Sequence, residues 1–172
     1  MVKFYPVLPS ELINSFAFGA KQAIANSAKV ARSRNPISID DKSVAIIENN
    51  DLLAGVAAQN ESEGHRFLVK HNVSYTEIAH KLTNAPKENL LNGRLPQNCI
   101  LQLHLDASKT LLLAKDIAEK LQGDVTTVHI VLALIKDDES ESAKFLKELG
   151  VNPTELRGEL ESFLLKSKTK AS

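Results

Sequence analysis

Tryptophan is absent from these 172 residues, and only two tyrosines and six phenylalanines stand in for it. A core must therefore be assembled mainly from Leu, Ile, Val and Ala. A single cysteine, Cys99, excludes an intramolecular disulfide and fits a reducing compartment. Neither sign of charge is in excess, since 21 Lys and Arg face 21 Asp and Glu. No global field then favours nucleic acid or an anionic membrane, and neither is expected as a partner. No apolar run is long enough to cross a bilayer, and Met1 to Leu12 lacks the form of a signal peptide. The expected setting is soluble and cytoplasmic.

The motifs of common chemistries are missing too. No Gly-x-x-x-x-Gly-Lys-Ser/Thr loop exists to cradle a nucleotide's phosphates, and no Gly-x-Ser-x-Gly elbow aims a serine at a substrate. The five histidines, His65, His71, His80, His104 and His129, include no i, i+4 pair and no HExxH. His129 stands beside an apolar stripe near a helix start, which fits a structural role. Cys99 reads as a small packing residue or an idle thiol. The chain is expected to be no enzyme, with no catalytic, cofactor-binding or metal-binding residue.

What is present is a repeat. Glu61 to Ile78 lies opposite Glu139 to Leu156 at an offset of 78 positions, with Phe67-Leu68 matching Phe145-Leu146. Asn72 takes the place of Gly150, each a residue that tolerates a left-handed backbone at a helix end. Ser74 and Glu77 form a Ser-x-x-Glu capping box where Asn152, Pro153 and Glu155 start a helix in the second copy. Leu52-Leu-Ala-Gly-Val56 matches Ile130-Val-Leu-Ala-Leu134. Upstream the offset becomes 87, where Ala20, Ile24 and Ala31 match Ala107, Leu111 and Ala118. The change of nine marks extra chain in the first copy, between about Pro36 and Asn49.

Apolar spacings of three and four predict a helix from Glu11 to about Arg34, then helices near 49–59, 62–71 and 75–83. The second copy predicts helices 100–121, 126–136, 140–149 and 153–166. Residues 37–48 fit either extended chain or a helical turn, and the lack of sustained period-two alternation argues against a sheet. The expected fold is all-α, a tandem repeat of two four-helix motifs packed as one double domain. Its expected divisions are a lead-in 1–13, repeat one 14–84, a linker 85–99, repeat two 100–165 and a basic, fraying tail 166–172.

Thr127-x-His129-Ile-x-Leu132-Ala-Leu134, an acidic linker and Ala143-x-x-Leu146-x-x-Leu149-Gly-Val resemble the second half of the Clp N-terminal repeat domain. Phe16-x-x-x-Ala20-x-x-x-Ile24 and Leu52-Leu-x-Gly55-Val56 are similar to pieces of its first half. The resemblance spans roughly residues 14–165. It implies a double Clp N-terminal domain, as in Hsp100 unfoldases of the ClpA and ClpC type or in stand-alone ClpT-type accessory proteins. The implied function is protein interaction, with Clp ATPase or protease subunits, adaptors or substrates as partners. A plant source would imply the plastid stroma. The chain stops before an ATPase could begin, so either a stand-alone protein or an excised N-domain is expected. A small-molecule-binding protein reusing the fold, with a ligand between the copies, is the alternative.

The resemblance also fails at a defined place. Clp C-type domains carry Thr-Glu-His at the second helix of each copy, and that glutamate helps to hold phosphorylated arginine. Here Asn49-Asn50-Asp51 and Thr127-Val128-His129 stand there, while Ala17 and His104 replace an assisting threonine. Both anionic partners for a guanidinium are gone, so phosphoarginine binding is not expected. Partner binding is instead expected of apolar residues in the extra segment, Ile39, Val44 and Ile47. Two acidic patches at matching places in the copies join them: Glu61 and Glu63, and Asp138, Glu139 and Glu141.

Overall fold

The computed structural model describes residues 10–39, 41–84 and 95–171. The expected lead-in up to Pro9 and most of the expected linker, 85–94, lie outside them. The first copy contains α1 (Ser10–Asn14), α2 (Phe18–Arg34), α3 (Asn49–Ala57), α4 (Glu63–Lys70) and α5 (Tyr75–Thr83). The second contains α6 (Leu105–Lys120), α7 (Thr127–Leu134), α8 (Glu141–Glu148) and α9 (Pro153–Ala171). Strands β1 (Ile37–Ile39), β2 (Lys42–Ile47) and β3 (Ile100–Leu103) complete the described chain. The two four-helix sets are α2–α5 and α6–α9.

Local chemistry places most helix ends. The Ser74 hydroxyl accepts from the Glu77 N–H, and the Glu77 carboxylate accepts from the Ser74 N–H at 3.0 Å. The Ser62 and Ser140 hydroxyls cap α4 and α8 by accepting from the His65 and Ala143 N–H groups, without the reciprocal bond. Such a cap is worth about 1 kcal/mol. Asn72 and Gly150, the paired helix-end residues of the two copies, both take positive φ, at 61° and 83°. The helix that would have run unbroken from Glu11 to Arg34 is interrupted at Ser15–Ala17. There Phe16 is buried, and the extended Ala17 backbone donates to the Val125 carbonyl at 2.8 Å.

That interruption belongs to a reciprocal exchange between the copies. Phe16, just before α2, bridges in parallel to Val125, just before α7. Leu103, just before α6, pairs in parallel with Ile47, just before α3. The repeat offsets carry Phe16 onto Leu103 and Ile47 onto Val125. The Ala17-to-Val125 hydrogen bond likewise has its counterpart in the His104 N–H donating to the Ile47 carbonyl at 2.9 Å. Each copy therefore clasps the other through the same two backbone segments.

The extra segment enlarges one of these clasps into a sheet, which corrects the expectation of none. β1 and β2 form an antiparallel hairpin, and β2 runs parallel to β3 over four residue pairs, Val44 with Ile100 through Ile47 with Leu103. Period-two alternation is missing because β2 is the middle strand and buries neighbouring residues, Val44 and Ala45, alike. The same pairing holds residues 100–103 extended, so the long helix expected from residue 100 starts at Leu105. At the other end, α9 continues through the expected tail to Ala171.

The core runs through both copies. Every residue of α3 from Asn50 to Ala57 and every residue of α7 is buried, so these two helices form the centre. α2 lies against α3, and α6 against α7. Gly55 permits the first crossing, because a Cβ there would collide with the Ala23 carbonyl and the Ser27 hydroxyl.

Candidate partner-binding surfaces

The copies meet through polar contacts at the helix starts. The Gly64 N–H on α4 donates to Thr127 Oγ1 on α7 at 3.0 Å. A Cβ at Gly64 would lie 2.8 Å from the Thr127 Cβ, so glycine is needed for this approach. At the related corner, Ser142 Oγ on α8 donates to Asn50 Oδ1 at 2.9 Å, and Asn50 Nδ2 donates to Glu141 at 3.1 Å. Asn50 is thereby committed on both sides of its amide. Burial pushes the Glu141 carboxyl above its ordinary range, and the nearby Glu48 pushes it further.

One residue further along α3 lies a buried ion pair. Arg34 donates to both Asp51 carboxylate oxygens, at 3.2 and 2.9 Å, and the Glu48 N–H donates to the same carboxylate at 2.9 Å. The Asp51 side chain is fully buried, and burial raises its pKa despite Arg34. Removing Arg34 would leave that carboxylate uncompensated, which costs about 3–5 kcal/mol in comparable sites. This pair ties the end of α2 to the start of α3 across the hairpin, a structural task.

At the start of α7, His129 Nδ1 accepts the Thr126 N–H at 3.0 Å, so the ring proton sits on Nε2. That Nε2 has no hydrogen-bond partner among the described residues, and burial lowers the His129 pKa. His129 lines a cleft of about 590 Å³ together with Ala17, Val128, Glu63, Phe163 and Lys168. Ala17 and Val128, at the places where the Clp C-type pattern has threonine and glutamate, thus share one cleft. Glu63 and Asp124 are the carboxylates on its wall.

A second depression of about 400 Å³ lies between α6, α7 and α9, floored by Leu113, Ile117, Leu132 and Leu164. Reading each copy alone did not find it. The available signal was the contrast between copies: Ala54, Ala58 and Ala79 in the first correspond to Leu132, Lys136 and Arg157 in the second. Among the described residues, no three or more His, Cys, Asp or Glu side chains come together as a metal site would require. No described helix is long and apolar enough to cross a membrane.

The residues expected to bind partners fall into three groups. Val44 and Ile47 are 1% and 0% exposed, which corrects their assignment: they hold β2 in the core and offer a partner nothing. Ile39 is 53% exposed at the hairpin's outer strand. The acidic residues are for the most part engaged internally. Asp138 accepts from Arg157 at 2.7 Å and from Thr154 at 3.1 Å, and those bonds hold its carboxyl below the usual range. Glu139 pairs with Lys144 at 2.9 Å, Glu141 holds Asn50, and Glu63 pairs with Arg66. Glu61 is exposed.

Residues 102–172 match the Clp repeat (R) N-terminal domain. The matched stretch begins in β3 and covers α6 to α9, the copy without extra chain. Among solved structures, the chain is similar to the N-terminal domain of the caseinolytic protease associated chaperone ClpD from Arabidopsis thaliana. The likeness has a TM-score of 0.65 at 16% identity and covers 88% of this chain and 99% of that one. No curated protein sequence matches the chain. The double-repeat architecture is a Clp N-domain-like fold in which the first copy carries an added β-hairpin.

Proposed function

We propose that this chain is a non-catalytic protein-interaction module of the Clp unfoldase–protease system, binding substrates, adaptors or Clp subunits. The observation that carries the reading is the match of the second copy to the Clp repeat within a fold likeness spanning 99% of the ClpD N-terminal domain. A rigid double repeat suits such work. Its two central helices are buried on all sides, so the clefts around them are shaped before a partner arrives, which reduces the ordering cost of binding. The test is direct titration of the purified chain against purified Clp ATPases and the Clp protease core from the same source. Saturable micromolar or tighter binding to one of them supports the proposal, and no binding to any of them overturns it.

The cleft of about 590 Å³ favours a second reading, a small-molecule-binding protein on the same fold. Its volume falls within the usual range for ligand pockets, and the buried His129 N–H beside it has no acceptor among the described residues. Thermal-shift screening against metabolites separates the two: reproducible stabilisation by one compound class favours the ligand.

A further inference from the structure

The two copies differ most, outside the hairpin, in how their last helix closes. In the first copy α5 packs on both α2 and α3. In the second, α9 packs on α7 and α8 and meets α6 less closely, with Lys168 Nζ reaching the Lys120 carbonyl at 3.5 Å. The repeat offsets give the cause. Ala54, Ala58 and Ala79, small enough for close packing, become Leu132, Lys136 and Arg157. α5 also stops at Thr83, whereas α9 runs well past the equivalent position and brings Leu164 and Leu165 alongside. Bulk props the helix off, and the extension supplies a far wall.

The result is a groove of about 400 Å³ with a helical stripe, Leu113, Ile117 and Leu121, along one side. Leu165, 61% exposed, stands at its lip. Lys120 and Lys136 line it as well, and neither has an ion-pair partner among the described residues. Arg157 faces the groove but is committed to Asp138. Glu161 is the one acid in the lining. Apolar floor and free cations together select the occupant: apolar residues must meet the stripe, and carboxylates must meet the lysines.

We propose that this groove docks an acidic amphipathic helix, its apolar face on α6 and α9 and its carboxylates on Lys120 and Lys136. A helix rather than an extended strand fits because the groove is bounded by helices, whose ridges accept anchors at i, i+3 or i+4, and i+7. The proposal rests on the interaction-module reading and names the surface that such a module uses.

The experiment measures binding of fluorescein-labelled helical peptides of about 18 residues to the full chain by anisotropy. One peptide places Glu on both flanks of a Leu stripe, a second replaces every Glu with Lys, and a third scrambles the stripe. The Glu peptide should bind at least about tenfold tighter than the Lys peptide, and the scrambled one should not bind. Lys120→Glu with Lys136→Glu should reverse that preference, and Leu165→Asp should abolish binding, with the melting temperature unchanged in both variants. Equal affinity for the Glu and Lys peptides, or variants that bind like the parent, overturns the proposal. So does self-association lost in Leu165→Asp without peptide binding, which would make a second copy the occupant. If a Clp component binds parent and variants alike, the groove is refuted while the module stands. If the peptides behave as expected and no Clp component binds, the groove stands and the Clp assignment falls.

Discussion

At Gly55 two helices approach until no side chain fits between them. A Cβ there meets the Ala23 carbonyl, which cannot swing away, so Gly55→Ala should cost about 1–3 kcal/mol through overpacking. Gly158, within α9, has nothing within 4 Å of a Cβ, and Gly158→Ala should gain about 0.5–1 kcal/mol of helix propensity. Urea unfolding of the two variants should therefore move in opposite directions. His129 supplies a pH dependence of known sign. Burial holds its pKa below the unfolded value of about 6.5, so below that pH the unfolded chain binds more protons. Stability should fall as pH drops from 7.5 to 5.5. Gln at position 129 can keep the capping box with Thr126 without titrating, so His129→Gln should lose less over that interval. Equal losses in parent and variant would place the pH dependence elsewhere.

Among the elements, the hairpin departs furthest from its sequence reading. An apolar extra segment could cover its own copy or meet a partner; β2 packs on α2 of its own copy and, by pairing with β3, also ties it to the start of the second copy. Its two faces then make separate predictions. Val44→Asp places a charge at a site 1% exposed and should lower the melting temperature by well over 10 °C or prevent folding, since uncompensated burial costs several kcal/mol. Ile39→Ser, at a site 53% exposed, should stay within about 0.5 kcal/mol of the parent in the same thermal melt. A large loss from Ile39→Ser would mean that the outer strand also supports the core.

For the whole molecule, the question is what the changed corners still recognise. Val128 and Ala17 put apolar side chains into the larger cleft at the places where the Clp C-type pattern has glutamate and threonine, and Asn50 is occupied by Glu141 and Ser142. Each missing charge-assisted contact removes about 1.5–3 kcal/mol, so free phosphoarginine should give no saturable micromolar isotherm in calorimetric titration. Such an isotherm would mean that other carboxylates, such as Glu63, Asp124 or Glu141, hold the guanidinium.

The sequence by itself determined the repeat and most of its helices, because those signals are local. Ser-x-x-Glu at Ser74, the positive φ at Asn72 and Gly150, and stripes such as Phe145, Leu146 and Leu149 lie within a few residues of the structure they produce. Ala17 and Val128, two positions where the sequence departs from the family pattern it resembles, share a cleft that only the structure shows. Tertiary structure decided whatever depends on distant partners. Residues 100–103 are extended because β2 pairs with them, and Phe16 breaks a helix because Val125 is there to bridge it. Val44 and Ile47 looked like surface because a middle strand buried on both faces loses the alternation that would have marked it. The groove beside α9 arises from side-chain bulk acting between helices, and bulk reveals a gap only once both walls are in place.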